Sequence, residues 1–118
     1  MFQRIYLIVE AMGPVAEDLR MSIEEVDDSA ASLVARTPDA ALALVGDNRI
    51  SVAFVHADPA RFAATALEPV LAAQGTRIIF MGNAAEESRA PGRLIMQRPF
   101  SSETVAEIVR PLLQSRVA

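Results

Sequence analysis

The chain has 118 residues, 52% of them hydrophobic and 22% charged, which suits one domain with a core of its own and is too few for two. A formal net charge of −4 argues against a nucleic-acid surface, and the absence of cysteine excludes disulfides, thiol nucleophiles and thiolate metal sites. No apolar run nears the roughly 20 residues that span a bilayer, so the expectation is a globular cytoplasmic protein without a membrane segment.

Arg4 to Val9 (RIYLIV) is a β-branched and aromatic run suited to a buried strand. The opening residues could pass for a weak signal peptide, but the apolar run is short and Glu10 interrupts it. Gly13 and Pro14 open a helix in which Val15, Leu19, Ile23 and Val26 form an apolar stripe, with Glu17, Asp18, Arg20, Glu24 and Glu25 on other faces. Asp27 and Asp28 end it, and Ala31 to Ala35 follows as a short strand. Thr37-Pro38-Asp39 starts a second helix: an N-cap, a proline at the first helical position, and an acid favourable to the dipole. Leu42, Leu44 and Val45 follow, and Gly46 is placed to end it.

After a turn at Asp47-Asn48 comes the central strand, Ile50 to His56. Its apolar run ends abruptly in a histidine and, two residues on, an acid. That is the pattern of a buried parallel strand delivering polar side chains to the carboxyl edge of a sheet, where open α/β folds place their sites. Asp58-Pro59 repeats the cap-then-proline signal and opens a helix with Phe62, Ala63, Leu67, Val70 and Leu71 inward and Gly75 at its end. Arg77 to Met81 is another buried strand. Gly82 to Gly92 is irregular, so any helix there is short. Arg93 to Gln97 makes a fifth strand, and Ser101 or Ser102 caps a last helix that docks Val105, Ile108, Val109, Leu112 and Leu113, with a kink at Pro111.

Five strands alternating with helices over short connections predict one doubly wound domain across residues 1–118. It is flavodoxin-like, a five-stranded parallel sheet of order 2-1-3-4-5 with helices on both faces.

The stretches IYLIVEAM, VAFVHADP, IIFMGN and MQRPFS, in that order and spacing, resemble a response-regulator receiver (CheY-like) domain over nearly the whole chain. The resemblance implies that the functional positions have been replaced. His56 stands where the phosphorylated aspartate would be, and Ala11 and Met12 where an acidic pair would hold Mg²⁺, with Glu10 retained just before them. Met81 replaces the switch hydroxyl residue, Ile95 the switch aromatic, and Arg98 the lysine of Lys-Pro-Phe. The Arg98-Pro99 peptide would be cis by the same likeness.

Acyl-phosphate formation needs a carboxylate nucleophile, a hard cation held by oxygen ligands and a fixed positive charge opposite. Ala11 and Met12 offer no ligand oxygens and Met81 no hydroxyl, so Mg²⁺ binding and aspartyl phosphorylation are expected to be lost. Asp58 lies two residues beyond His56 on the same strand face and would be the acceptor if the strand ran on, but Pro59 follows it and an N-cap suits it better. His56, the single histidine, reads as a half-buried group bonded to Glu10 or the backbone, since one imidazole with one acid is a poor metal site. Arg98 would pair with Glu10 or Asp58, or else be solvated.

Two functions follow. The first is an atypical, phosphorylation-independent receiver in two-component signalling, contacting a histidine kinase, a phosphotransfer protein or a second copy through the face of its fourth helix, fifth strand and fifth helix. The alternative is a pseudo-receiver binding a small molecule or nucleotide at the emptied pocket. Gly13-Pro14 is not a glycine-rich phosphate loop, and no nucleophile–base pair suggests an enzyme.

Overall fold

A computed structural model describes residues 3–89, 91–97 and 100–114. Five strands form one parallel sheet of order β2-β1-β3-β4-β5, as expected: β1 (Arg4–Val9), β2 (Ala30–Ala35), β3 (Ile50–His56), β4 (Arg77–Met81) and β5 (Leu94–Met96). Strand side chains alternate between faces, so each central strand must be apolar at nearly every position to be covered on both sides. In β1, Tyr6 and Ile8 face one helical layer while Leu7 and Val9 face the other, and β3 divides Val52 and Phe54 from Ala53 and Val55 in the same way.

The first layer is α1 (Gly13–Val26) and α6 (Ser102–Gln114), which bury Leu19, Ile23, Val105 and Val109 over Tyr6, Phe54 and Met81. The second layer is α2 (Pro38–Val45), α3 (Pro59–Phe62), α4 (Leu67–Gln74) and α5 (Asn83–Ser88), which bury Ala41, Val45, Phe62, Leu71 and Ala85 over Leu7, Val55 and Phe80. Each large apolar side chain so buried contributes about 1.5–3 kcal/mol.

Several details depart from the sequence-based expectation. The single helix expected after Asp58 is broken into α3 and α4, and Ala63 is exposed at the break instead of inward. Pro69 gives the reason. In an unbroken helix its ring would meet the carbonyl of Thr65 and its missing N–H would leave that carbonyl unpaired, whereas a restart at Leu67 puts Pro69 in a first turn, where no N–H is needed. The Thr65 hydroxyl donates to the Phe62 carbonyl at 2.7 Å and closes the break. In α1 the stripe is centred on Ala16, Leu19, Ser22 and Ile23, leaving Val15 and Val26 half-buried at its margins. The edge strand β5 has three residues instead of five, and β2 starts one residue early. Ser101, not Ser102, caps α6, accepting from the Thr104 N–H at 3.2 Å, and α6 continues through Pro111 to Gln114.

An acid just after α1 is buried beside the start of β1. Asp27, 3% exposed, accepts two hydrogen bonds from the Arg4 guanidinium (2.7 and 2.8 Å), one from the Tyr6 hydroxyl (2.6 Å) and one from the Ser29 N–H (2.9 Å). Burial works to raise the pKa of this carboxyl, and the four hydrogen bonds outweigh it, holding the group below the usual carboxylate range. Burial and the same carboxylate push the Tyr6 hydroxyl well above the usual phenol range. Replacing Asp27 with Asn is expected to cost about 2–3 kcal/mol in urea unfolding, since charge-assisted bonds are lost and Arg4 keeps its charge. Because the folded pKa is depressed, the carboxylate's contribution is fully present above the unfolded value of about 3.9 and is lost as pH falls through the lower folded value. The gap between wild type and Asp27→Asn should therefore hold steady from about pH 7 to pH 5 and shrink below about pH 4.

Candidate functional site

β1 and β3 are neighbours in the sheet, and both end at its carboxyl edge. β1 gives way to Glu10, whose backbone N–H still bonds to the Ala35 carbonyl at 2.9 Å. β3 ends at His56, which pairs in register with Met81 at the end of β4. The parity that turns Ile8 and Phe54 to the α1–α6 side turns Glu10 and His56 the same way, and their side chains meet: His56 Nδ1 lies 2.7 Å from Glu10 Oε1. The second carboxyl oxygen accepts from the Met12 N–H at 2.9 Å. As a carboxylate Glu10 only accepts, so Nδ1 carries the proton and Nε2 has no part in the pair.

Burial is unequal across the bond. The Glu10 side chain is 2% exposed and that of His56 44%. The outer side of the imidazole lines an open cavity of about 620 Å³ shared with Asp58, Arg61, Ala84 and Glu87. Gly82 makes room for the ring: a Cβ there would fall 2.3 Å from both Cδ2 and Nε2 of His56. Its φ of +100° and ψ of 168° are, besides, a conformation that essentially only glycine adopts.

The other expected site residues divide. Ala11 and Met12 are exposed in the loop before α1, with Met12 60% exposed and contributing only its backbone N–H. Met81, 3% exposed, packs into the α1–α6 core beside His56 instead of lining the cavity. Ile95 is half-buried next to Phe80, on the opposite face of the sheet from Met81. The strand does not run on to Asp58, which caps α3 and accepts from the Ala60 N–H at 3.4 Å. Arg98 and Pro99, with the expected ion pair and cis peptide, lie outside the described residues.

The side chains at this edge offer little to a divalent cation: the Glu10 oxygens bond to His56 and Met12, Asp58 caps α3, and no group of three His, Asp or Glu side chains among the described residues is placed to hold a metal. Sequence reasoning missed Gly82 and Arg61. A glycine directly after a buried strand is a signal for a close approach of another group, whereas Arg61 had none.

No protein-family model matches the chain, and no curated protein matches it. Solved structures do. A response regulator from Thermotoga maritima superposes with a TM-score of 0.72 at 12% identity, covering 97% of this chain and 100% of that one. SdrG from Sphingomonas melonis Fr1 gives 0.67 at 25% identity, covering 95% and 97%. The chemotaxis response regulator CheY4 of Vibrio cholerae gives 0.68 at 19% identity, covering 93% and 98%. The chain thus has the CheY-like fold of the response regulators, matched over nearly its full length.

Gly82→Ala should drive the imidazole off Glu10. The expected result is a change in the His56 ¹⁵N ring shifts together with a loss of about 1–3 kcal/mol in thermal or urea unfolding, from the clash and the backbone strain.

Proposed function

We propose that this chain is a single atypical receiver domain that works without aspartyl phosphorylation, as a protein-contact module of two-component signalling and not as an enzyme. Its partners on this reading are a histidine kinase, a phosphotransfer protein or another signalling protein, or a second copy through the α5–β5–α6 face, where Leu94 is 47% exposed.

The observation that supports this most directly is the Glu10–His56 pair. A receiver's phosphorylation site would need an acceptor carboxylate, a cation and oxygen ligands at this edge. Here an imidazole occupies the acceptor position, the buried carboxyl group is bonded to it, and Ala11, Met12 and Met81 bring no oxygen ligand or hydroxyl. Without a phosphoryl group there is no ligand to shift the population between two states. The domain then acts in one conformation, and its specificity lies in its surfaces.

Incubation with acetyl phosphate, and separately with beryllofluoride, in the presence of Mg²⁺ should leave the intact mass and the amide spectrum unchanged. A phosphoryl adduct at Asp58, or a beryllofluoride-induced shift of residues around His56, would overturn the reading. Light scattering after size exclusion tests the homodimer: Leu94→Asp is expected to shift any dimer toward monomer.

A further inference from the structure

We propose that β2 pairs antiparallel with the β2 of a second copy of this chain, joining the two sheets across a twofold axis. β2 is an edge strand, with β1 on one side of it and no strand on the other. Natural edge strands ward off other chains with a charge, a proline or a bulge. Ala30–Ala35 reads AASLVA and pairs with β1 in an unbroken register, so it carries none of these. This edge is the far one from β5, and its pairing does not depend on whether the domain is phosphorylated.

The backbone sets which residues a second strand meets. The carbonyls of Ser29 and Ala35 accept from the N–H groups of Arg4 and Glu10 on the β1 side, each at 2.9 Å. Along a parallel ladder alternate residues turn both backbone groups to the same neighbour, so Ala31 and Leu33 also face β1, while Ser32 and Val34 turn theirs to the open edge. The Ala30 N–H is taken by the Asp27 carbonyl at 3.1 Å, which leaves the Ala30 carbonyl. An antiparallel pair centred on Ser32 uses all of these groups. Ser32 exchanges both its bonds with the partner's Ser32, and each Val34 N–H donates to the opposite Ala30 carbonyl.

The side chains agree with that register. The Ser32 hydroxyl is buried and has no hydrogen-bond partner among the described residues, which is unusual for a buried polar group. Directly opposed residues of a pair hold their Cβ atoms about 4.5–5.5 Å apart on one face, so the two Ser32 hydroxyls meet at the axis and each satisfies the other. Val34, 40% exposed, is covered by the partner's Ala30, and Leu33 by the partner's Ala31. Asp28 and Arg36 are exposed just beyond the two ends of the strand, and neither has an ion pair among the described residues. In this register each Asp28 falls opposite the partner's Arg36. An acid before the strand and a base after it complement an identical strand only when that strand runs the other way, which selects a second copy related by a twofold axis.

The test uses the full chain over a concentration series, read by sedimentation and by residue-resolved amide exchange. The expected result is self-association in which protection of the Ser32 and Val34 amides rises with concentration, while Ala31 and Leu33, bonded to β1, are protected throughout. Ser32→Pro takes an N–H from the open edge and none from the β1 ladder, and should abolish the pairing. Arg36→Asp should weaken it about tenfold or more, and the swapped pair Asp28→Arg/Arg36→Asp should restore it. Circular dichroism melts of the two charge variants should match wild type, their sites being exposed, so they decide the matter even where Ser32→Pro unfolds. Leu94→Asp acts at the opposite edge and should leave the protection of Ser32 and Val34 as it is. A monomer up to millimolar concentration, association without added protection at Ser32 and Val34, no rescue by the swapped pair, or loss of that protection in Leu94→Asp would each overturn the proposal. A beryllofluoride complex would overturn the phosphorylation-independent reading without touching this result, so the two failures are distinguishable.

Discussion

A carboxyl group that is 2% exposed has to be met by donors from the protein itself, and Glu10 is met by two, the His56 imidazole and the Met12 N–H. An ionised group left unpaired at that depth would cost several kcal/mol. The bond therefore constrains its surroundings. It ties the end of β1 to the end of β3, and it requires a glycine at position 82, because the imidazole lies where any Cβ would be. It also accounts for the loop at Ala11 and Met12, whose side chains can turn to solvent since only the Met12 backbone is needed.

β1 is held at both ends by such groups. At its start, Arg4 and Tyr6 bind Asp27, which follows α1; at its finish, Glu10 binds His56. Between them the strand is wholly apolar and buried on both faces. The ends of a two-sided parallel sheet are the only places where polar groups can enter it, so the two networks sit at opposite ends of the same strand. Their exposures differ, and with them their roles. Asp27 is sealed by four hydrogen bonds and serves stability, whereas His56 keeps its outer side open to a cavity.

The helix that follows the Glu10 loop has faces of different character. α1 buries Leu19 and Ile23 on one side, spends Arg20 on Glu17 and Glu24 on another, and leaves Met21 between Asp18 and Glu25 beside α6. On the reading proposed above, the sheet edge receives no phosphoryl group and so has no ligand to shift it between two states. What the domain presents to a partner is then a matter of fixed faces.

The alternation of apolar runs with capped helices was enough to give the succession of elements, the ends of the central strand and Asp58 as a cap, since these follow from local periodicity and from the few residues that can start a helix, and the order 2-1-3-4-5 was expected from the fold class that this succession defines. The meeting of Glu10 with His56 was legible only as one of two options for the imidazole. The break between α3 and α4 was in principle readable from Pro69, and was missed because the apolar positions on either side keep the helical period. What the sequence could not yield were the contacts set by strand register and layer packing: the ring of His56 against Gly82, 26 residues apart, and the capture of Asp27 by Arg4 and Tyr6. The same holds for Asp18, Met21 and Glu25 gathered beside Phe100. Propensity acts over a turn or two of chain, whereas these distances depend on which strands become neighbours and how far helices sit from the sheet, and only the folded chain decides that.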